Sequence, residues 1–252
     1  MKNKLKKLLT RFALPLAFWL AVWQITAMII GKSFLLPDIP TTVCALVDLL
    51  ADADFYLALI FSLLRVIAGL MLGIIIGSLL AVICHRSTTV KYIVTPIINV
   101  IKSTPVASFI ILLWVLMTGD GLSVFIGFLM VMPIIYQSIY NGLLDVDIGL
   151  SEVADVFEFS KKKRFMLLTL PTIKKYFIPA LITSSGLAWK AVIAAEIIAY
   201  TTHSIGQAIN DAKYDNDSPT VFAWTIVVII FSLLLEWSVG KITRRWSDNV
   251  KN

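Results

Sequence analysis

Between Val66 and Cys84 the chain reads VIAGLMLGIIIGSLLAVIC, nineteen residues without a charged side chain. A helix needs roughly 20 mainly apolar residues to cross a bilayer, so this run makes lipid the solvent that the fold must satisfy. The composition agrees. Of 252 residues, 58% are hydrophobic and only 15% charged, against about 25% charged in a soluble domain.

The same length rule picks out six runs, at 12–30, 57–84, 92–117, 122–141, 176–199 and 220–240. The expected fold class is an all-α polytopic membrane protein with six transmembrane helices. Excess Lys and Arg mark the cytoplasmic side. With the N-terminus inside, segments 1–11, 84–91, 141–175 and 241–252 hold 17 basic residues, and the outer segments 31–56, 118–121 and 200–219 hold 2. Both termini are therefore expected in the cytoplasm. The organisation is a basic N-terminus (1–11), a first helix (12–30), a core of five spans (57–240) with a cytoplasmic loop (145–175), and a tail (241–252). The net charge of +6 reads as a topology signal. Nucleic acid would need basic residues gathered on one soluble face, and no such partner is expected.

Met1 to Arg11 leads into an apolar run as a signal peptide does, but that run is long enough to span and no small-x-small cleavage site follows. It reads as a retained helix. Cys44, placed in a loop, and Cys84, placed at a helix end, fall on opposite sides of the membrane, which argues against a disulfide. Ser218-Pro219 reads as an N-cap followed by proline at the first helical position. Pro96, Pro105 and Pro133 fall inside spans, where freed carbonyls need other partners. A bend is expected in the third span near KSTPVAS, Lys102 to Ser108. Gly69, Gly73 and Gly77 recur on one face of the second span, a spacing that lets another helix approach closely.

Several chemical signals fail. TAMIIGKS, Thr26 to Ser33, ends like a phosphate-binding loop but has Thr26 where the first glycine is required, and it follows a helix. His85 and His203 lie on opposite sides, too isolated to hold a metal. Asn216 opens a chance-frequency glycosylation sequon. No catalytic constellation stands out, and no enzyme is expected.

The most unusual stretch is LSEVADVFEFSKKKRFMLLTLP, Leu150 to Pro171. Ser151 can cap a short helix with Glu152 and Asp155 in its first turn. Leu150, Val153, Ala154 and Phe157 then form one apolar stripe. A break near Phe159-Ser160 would start a second helix with Lys161 to Arg164 and Phe165 to Leu168, ended by Pro171. Such a pair needs something to bury its apolar face. An interfacial helix on anionic lipid and a docking element for a protein partner both satisfy the pattern.

The segment resembles the cytoplasmic loop of permease subunits of binding-protein-dependent type I ABC importers, in the nitrate/taurine/aliphatic-sulfonate branch. The match lies in Glu152, Ala154 and Leu170-Pro171 at the family's distance. LLPDIPTTVCALVDLL before span two, SLLRVIAGLMLGIIIG within it, STP in span three (Ser103, Thr104, Pro105) and AAEIIAY in span five extend it over most of the chain. Val153 replaces the family's first alanine, and Glu158 stands where the family has a glycine for a left-handed turn. That turn could move to Phe159-Ser160, or the first helix could run longer.

The resemblance implies a type I ABC importer permease fold in a bacterial inner membrane. Glu152, Val153, Ala154, Phe157, Glu158, Phe159, Leu170 and Pro171 would then dock on a separate ATP-binding subunit. ATP and Mg would be bound by that partner and no cofactor by this chain. The further partners would be an extracytoplasmic binding protein facing 33–56 and 200–218, a second permease copy as a homodimer, and membrane lipid. A secondary transporter is the alternative from another class. It predicts inverted repeats, and the two three-span halves do not pair convincingly.

Ionisable residues inside spans are costly, and are usually functional or paired. Arg65 and Glu196 lie at similar outer depth, so a salt bridge between spans is one reading. Lys190, about four turns into span five, could guide an anion or pair with a carboxylate in its own or another subunit. Glu236 and Trp237 read as interfacial anchors.

Overall fold

In a computed structural model, the structure describes residues 13–117 and 119–248, with side chains to residue 243. The basic N-terminus at 1–11 and the tail beyond 248 lie outside the described residues. The described elements are helices only. They are α1 (Leu14–Ile30), α2 (Ile39–Ala51), α3 (Ala53–Arg86), α4 (Thr88–Ser103), α5 (Val106–Trp114), α6 (Asp120–Leu144), α7 (Ile148–Val156), α8 (Lys161–Arg164), α9 (Leu170–Ala199), α10 (Ile205–Tyr214) and α11 (Ser218–Asp248).

Among the described residues, four helical stretches are long and apolar enough to cross a membrane: α3, α6, the continuous rod Lys161–Ala199, and Ser218–Thr243. The third expected span, 92–117, is bent within KSTPVAS, as the sequence suggests. It is the pair α4 and α5, which meet at 102°. Thr104 precedes Pro105 and is pushed out of the helical region, to ψ 131°, and Pro105 follows with ψ 134° before α5 begins. The apolar run is continuous in sequence, but the backbone breaks there. The described part of α1 has 17 residues, about 26 Å of helix.

The segment 31–56, expected as an outer loop, contains α2. Asp38 caps it by accepting from the Thr41 N–H at 3.0 Å, and Pro40 occupies its first turn. Cys44 is therefore helical and exposed rather than in a loop; Cys84 is buried near the end of α3, and both are free. The start of α11 also differs from the sequence expectation. Asp217, not Ser218, accepts from the Thr220 N–H, at 3.3 Å. The carboxylate one position earlier takes the capping role, and the Ser218 hydroxyl donates to the Phe34 carbonyl at 2.5 Å.

The centre of the molecule is a seam between α3 and α6. A Cβ added at Gly73 would stand 2.6 Å from the Val131 Cβ, and one at Gly77 would stand 2.7 Å from the Met132 carbonyl oxygen. Gly69 meets the backbone of Val124 and Gly127 in the same way. On its other side α6 receives α9, where the Val192 side chain fills the space left by Gly127. Helix α11 closes on α9 through Trp189, which donates to the Val228 carbonyl at 2.9 Å and stacks on Phe231. Helix α6 is thus held between α3 and α9, and residues such as Ile126, Val131 and Ile135 are fully buried.

Gly73→Leu is expected to cost about 1–3 kcal/mol by overpacking this seam. A clear fall in the melting temperature of detergent-solubilised protein checks it, and an unchanged melt would contradict the seam.

Candidate functional site

At the end expected to face the cytoplasm, α7 begins one turn earlier than the sequence suggests. Asp147, at the point where the chain leaves α6, accepts from the Leu150 N–H at 2.9 Å and is the cap. Ser151 lies inside the helix, and its hydroxyl accepts from Arg164. Arg164 also grips Asp155 at 2.5 Å, so one guanidinium clamps α8 onto α7.

The left-handed turn stays at Glu158, with φ +50°. It is neither displaced to Phe159-Ser160 nor absorbed by a longer helix. The Phe159 N–H donates to the Ala154 carbonyl at 2.9 Å, and the Glu158 N–H to the Asp155 carbonyl at 3.0 Å. This pair is the Schellman arrangement, which favours glycine at the left-handed position. A non-glycine residue there costs roughly 1–2 kcal/mol. The Arg164 clamp and Lys163, 3.9 Å over the Phe159 ring, hold the turn against that cost.

Pro171 does not end the second helix. Residues Phe165–Thr169 form a widened turn in which the Leu170 N–H reaches the Phe165 carbonyl. A wider turn absorbs the N–H that Pro171 lacks. The helix therefore continues from Lys161 to Ala199 as one rod.

This geometry leaves an apolar face open. Ala154 is buried, but Phe157 is 70% exposed, and Leu150, Val153, Phe165, Met166 and Leu167 are exposed too. Beside them is a cavity of about 380 Å³ between α7 and the start of α9, floored by Leu150, Leu168 and Pro171. Asp145 and Lys175, paired at 3.5 Å, stand on its rim. Glu152 is exposed, and Leu170 is half-buried.

At the opposite end, Arg65 and Glu196 form a buried ion pair at 2.9 Å, the Glu196 side chain being 0% exposed. The structure adds members that the sequence reading did not find. Arg65 Nη2 and Nε donate to Asp120 Oδ1 at 2.7 and 2.9 Å. The guanidinium also reaches the carbonyls of Thr202 and His203 at 3.0 and 3.3 Å. The Ser62 hydroxyl donates to Glu196 Oε2 at 2.7 Å and accepts from the Ile205 N–H at 3.1 Å.

Tyr200 and His203, at φ +52° and +47°, make a tight turn that brings these carbonyls back over α3. Gly206 fits against the Glu196 backbone, where a Cβ would overlap it. Asp120 could have been found as the only charge in the short outer turn near the depth of Arg65. Ser62 carries no such signal. Away from this cluster, the Ser103 and Thr104 hydroxyls both donate to the Val100 carbonyl, at 3.2 and 2.8 Å, beside the break at Pro105. Lys190 is exposed on α9.

Arg65→Met leaves Glu196 buried without a counter-charge and is expected to cost about 3–5 kcal/mol. Glu158→Gly should gain about 1 kcal/mol by removing turn strain. Melting of the purified protein checks both, and they should move in opposite directions.

Comparison with known proteins places this geometry. The model of the family described as "binding-protein-dependent transport system inner membrane component" matches residues 69–248. The chain is 27% identical over 222 residues to the nitrate import permease protein of Synechococcus elongatus, covering 84% of this chain and 79% of that protein. It is 25% identical over 204 residues to the taurine transport system permease protein of Escherichia coli, covering 79% and 74%. Among solved structures, the inward-facing MetNI methionine ABC transporter superposes with a TM-score of 0.64 at 14% identity, over 75% of this chain and 94% of that one.

Proposed function

The chain belongs to the family of binding-protein-dependent transport system inner membrane components, and from that premise we propose that its open cytoplasmic face is the seat of the ATP-binding subunit. The protein is a multi-pass permease of an ABC importer in a bacterial plasma membrane, in the nitrate/taurine/sulfonate branch. The exposed Phe157 and its apolar neighbours on α7 carry the docking reading. An aromatic side chain standing free in the cytoplasm is a typical anchor for a partner's pocket.

The coupling route follows from the rod. Arg164 ties α7 to a helix that runs without a break from Lys161 to Ala199. A displacement of α7 by the closing ATPases is therefore delivered to the bilayer interior and to the Glu196 cluster. No residue of this chain needs to touch nucleotide; ATP and Mg belong to the partner. Two copies of the permease would enclose the pathway. Helices α2 and α10, in the outer segments, would meet the binding protein. Both named relatives carry a substrate with an oxyanion group, nitrate or the sulfonate of taurine, and a small oxyanion is the substrate class proposed here.

Phe157→Ala and Glu152→Lys should each weaken retention of the ATPase by about tenfold or more, the loss expected of an interface anchor, while membrane insertion is unchanged. Copurification of the tagged permease with its ATPase measures this. Undiminished ATPase with both variants would mean that the subunit docks elsewhere.

A further inference from the structure

Three faces of α9 are occupied. Helix α6 packs on Val192, α11 on Trp189 and Gly186, and the apolar cluster containing Ile110 of α5 packs on Ala191 and Ala195. One stripe remains uncovered: Pro179, Thr183, Leu187 and Lys190 are all exposed. Lys190 interrupts a run of buried neighbours, with Ala188, Trp189, Ala191 and Val192 all inside. It lies about 14 Å from the outer end of α9, at 1.5 Å per residue. Counted inward from that end, this distance falls near the middle of a hydrocarbon core roughly 30 Å thick. Among the described residues Lys190 forms no ion pair.

A lysine at that depth is not stable against lipid; such residues face a bundle interior or a water-filled path and mark where ions move. We propose that Lys190 is the residue through which the translocation pathway contacts its anion, a specificity-determining position on the uncovered stripe of α9. The assignment rests on the oxyanion reading above and narrows it to one side chain. Thr183, two turns toward the cytoplasm on the same stripe, offers a hydroxyl as the next polar group. Because α9 is the rod clamped to α7, motion at the docking face moves Lys190 with it.

The competing occupant is a carboxylate. Glu236 on α11 lies against Gly186, where a Cβ would overlap its carboxylate. A lysine side chain leans toward the helix N-terminus, hence toward the level of Gly186. Glu236, in the same or a second copy, is therefore the group Lys190 would turn to if its role were structural.

The test uses the complete importer, with ATPase and binding protein, in proteoliposomes supplied with nitrate, taurine or ethanesulfonate. Lys190→Met should lower uptake of whichever anion the wild type carries by roughly tenfold to a hundredfold, the loss expected of a charged hydrogen bond. Lys190→Arg should retain most of the uptake, and ATPase association should be unchanged in both. Uptake untouched in Lys190→Met overturns the Lys190 assignment alone. Failure of the wild type to carry any of the three anions overturns the oxyanion reading, and the assignment with it. Recovery of uptake by Lys190→Glu combined with Glu236→Lys would make the pair structural and also overturns it. In a Cys44→Ser background, Lys190→Cys should react with a sulfonate-bearing thiol reagent added in water; an unreactive thiol would put the stripe against lipid.

Discussion

Helices in hydrocarbon gain little by hiding apolar surface from one another, because lipid is as apolar as leucine, and close packing must hold them together instead. The seam at Gly69, Gly73 and Gly77 is where this protein meets that requirement. Without side chains at these positions the α3 backbone comes against Val131, Met132 and Val124 of α6. Helix α6 is then fixed between α3 and α9, and the positions of Arg65, Asp120 and Glu196 on three different helices follow from that spacing. A wider seam would separate donors and acceptors that now meet at 2.7–2.9 Å.

The two ends of the molecule solve opposite problems. The outer cluster satisfies a buried charge internally: a guanidinium between two carboxylates and two carbonyls, with Ser62 completing Glu196. Groups of this kind rigidify a turn because leaving any one unpaired is costly. The α7–α8 pair does the reverse. Its polar groups are satisfied by Asp147, Arg164 and the turn at Glu158, while its apolar side chains stay open to solvent. A closed outer end and an open inner end joined by an unbroken rod suit a protein that receives force from a partner.

Much of this was legible in residue order. The long apolar runs, the glycine spacing, the depth match of Arg65 and Glu196, and the amphipathic segment after Leu150 all follow from periodicity and charge. What escaped was local. Asp147 rather than Ser151 caps α7, because the cap is chosen by where the chain leaves α6. Pro171 reads as a stop in isolation, yet a widened turn carries the helix through it. The bend near KSTPVAS was legible from Pro105, but its size, 102°, was not, because residue order does not say how far Thr104 and Pro105 turn the chain.

By itself the sequence determined the solvent, the kind of element and the sidedness signal, because apolar length and basic residues act through the bilayer whatever the packing. Its resemblance to the permease loop also marked Glu158, standing where that family has a glycine, as the residue the loop must accommodate. Only the folded structure decided that Glu158 makes the left-handed turn itself: its two backbone hydrogen bonds are local, and the Arg164 clamp from α8 holds α7 against the strain. It alone recruited Asp120 and Ser62 to the Arg65–Glu196 pair, and left Lys190 on a face of α9 that none of the described helices covers. Which face a helix presents is set by the neighbours that crowd the others, and those neighbours are distant in the chain.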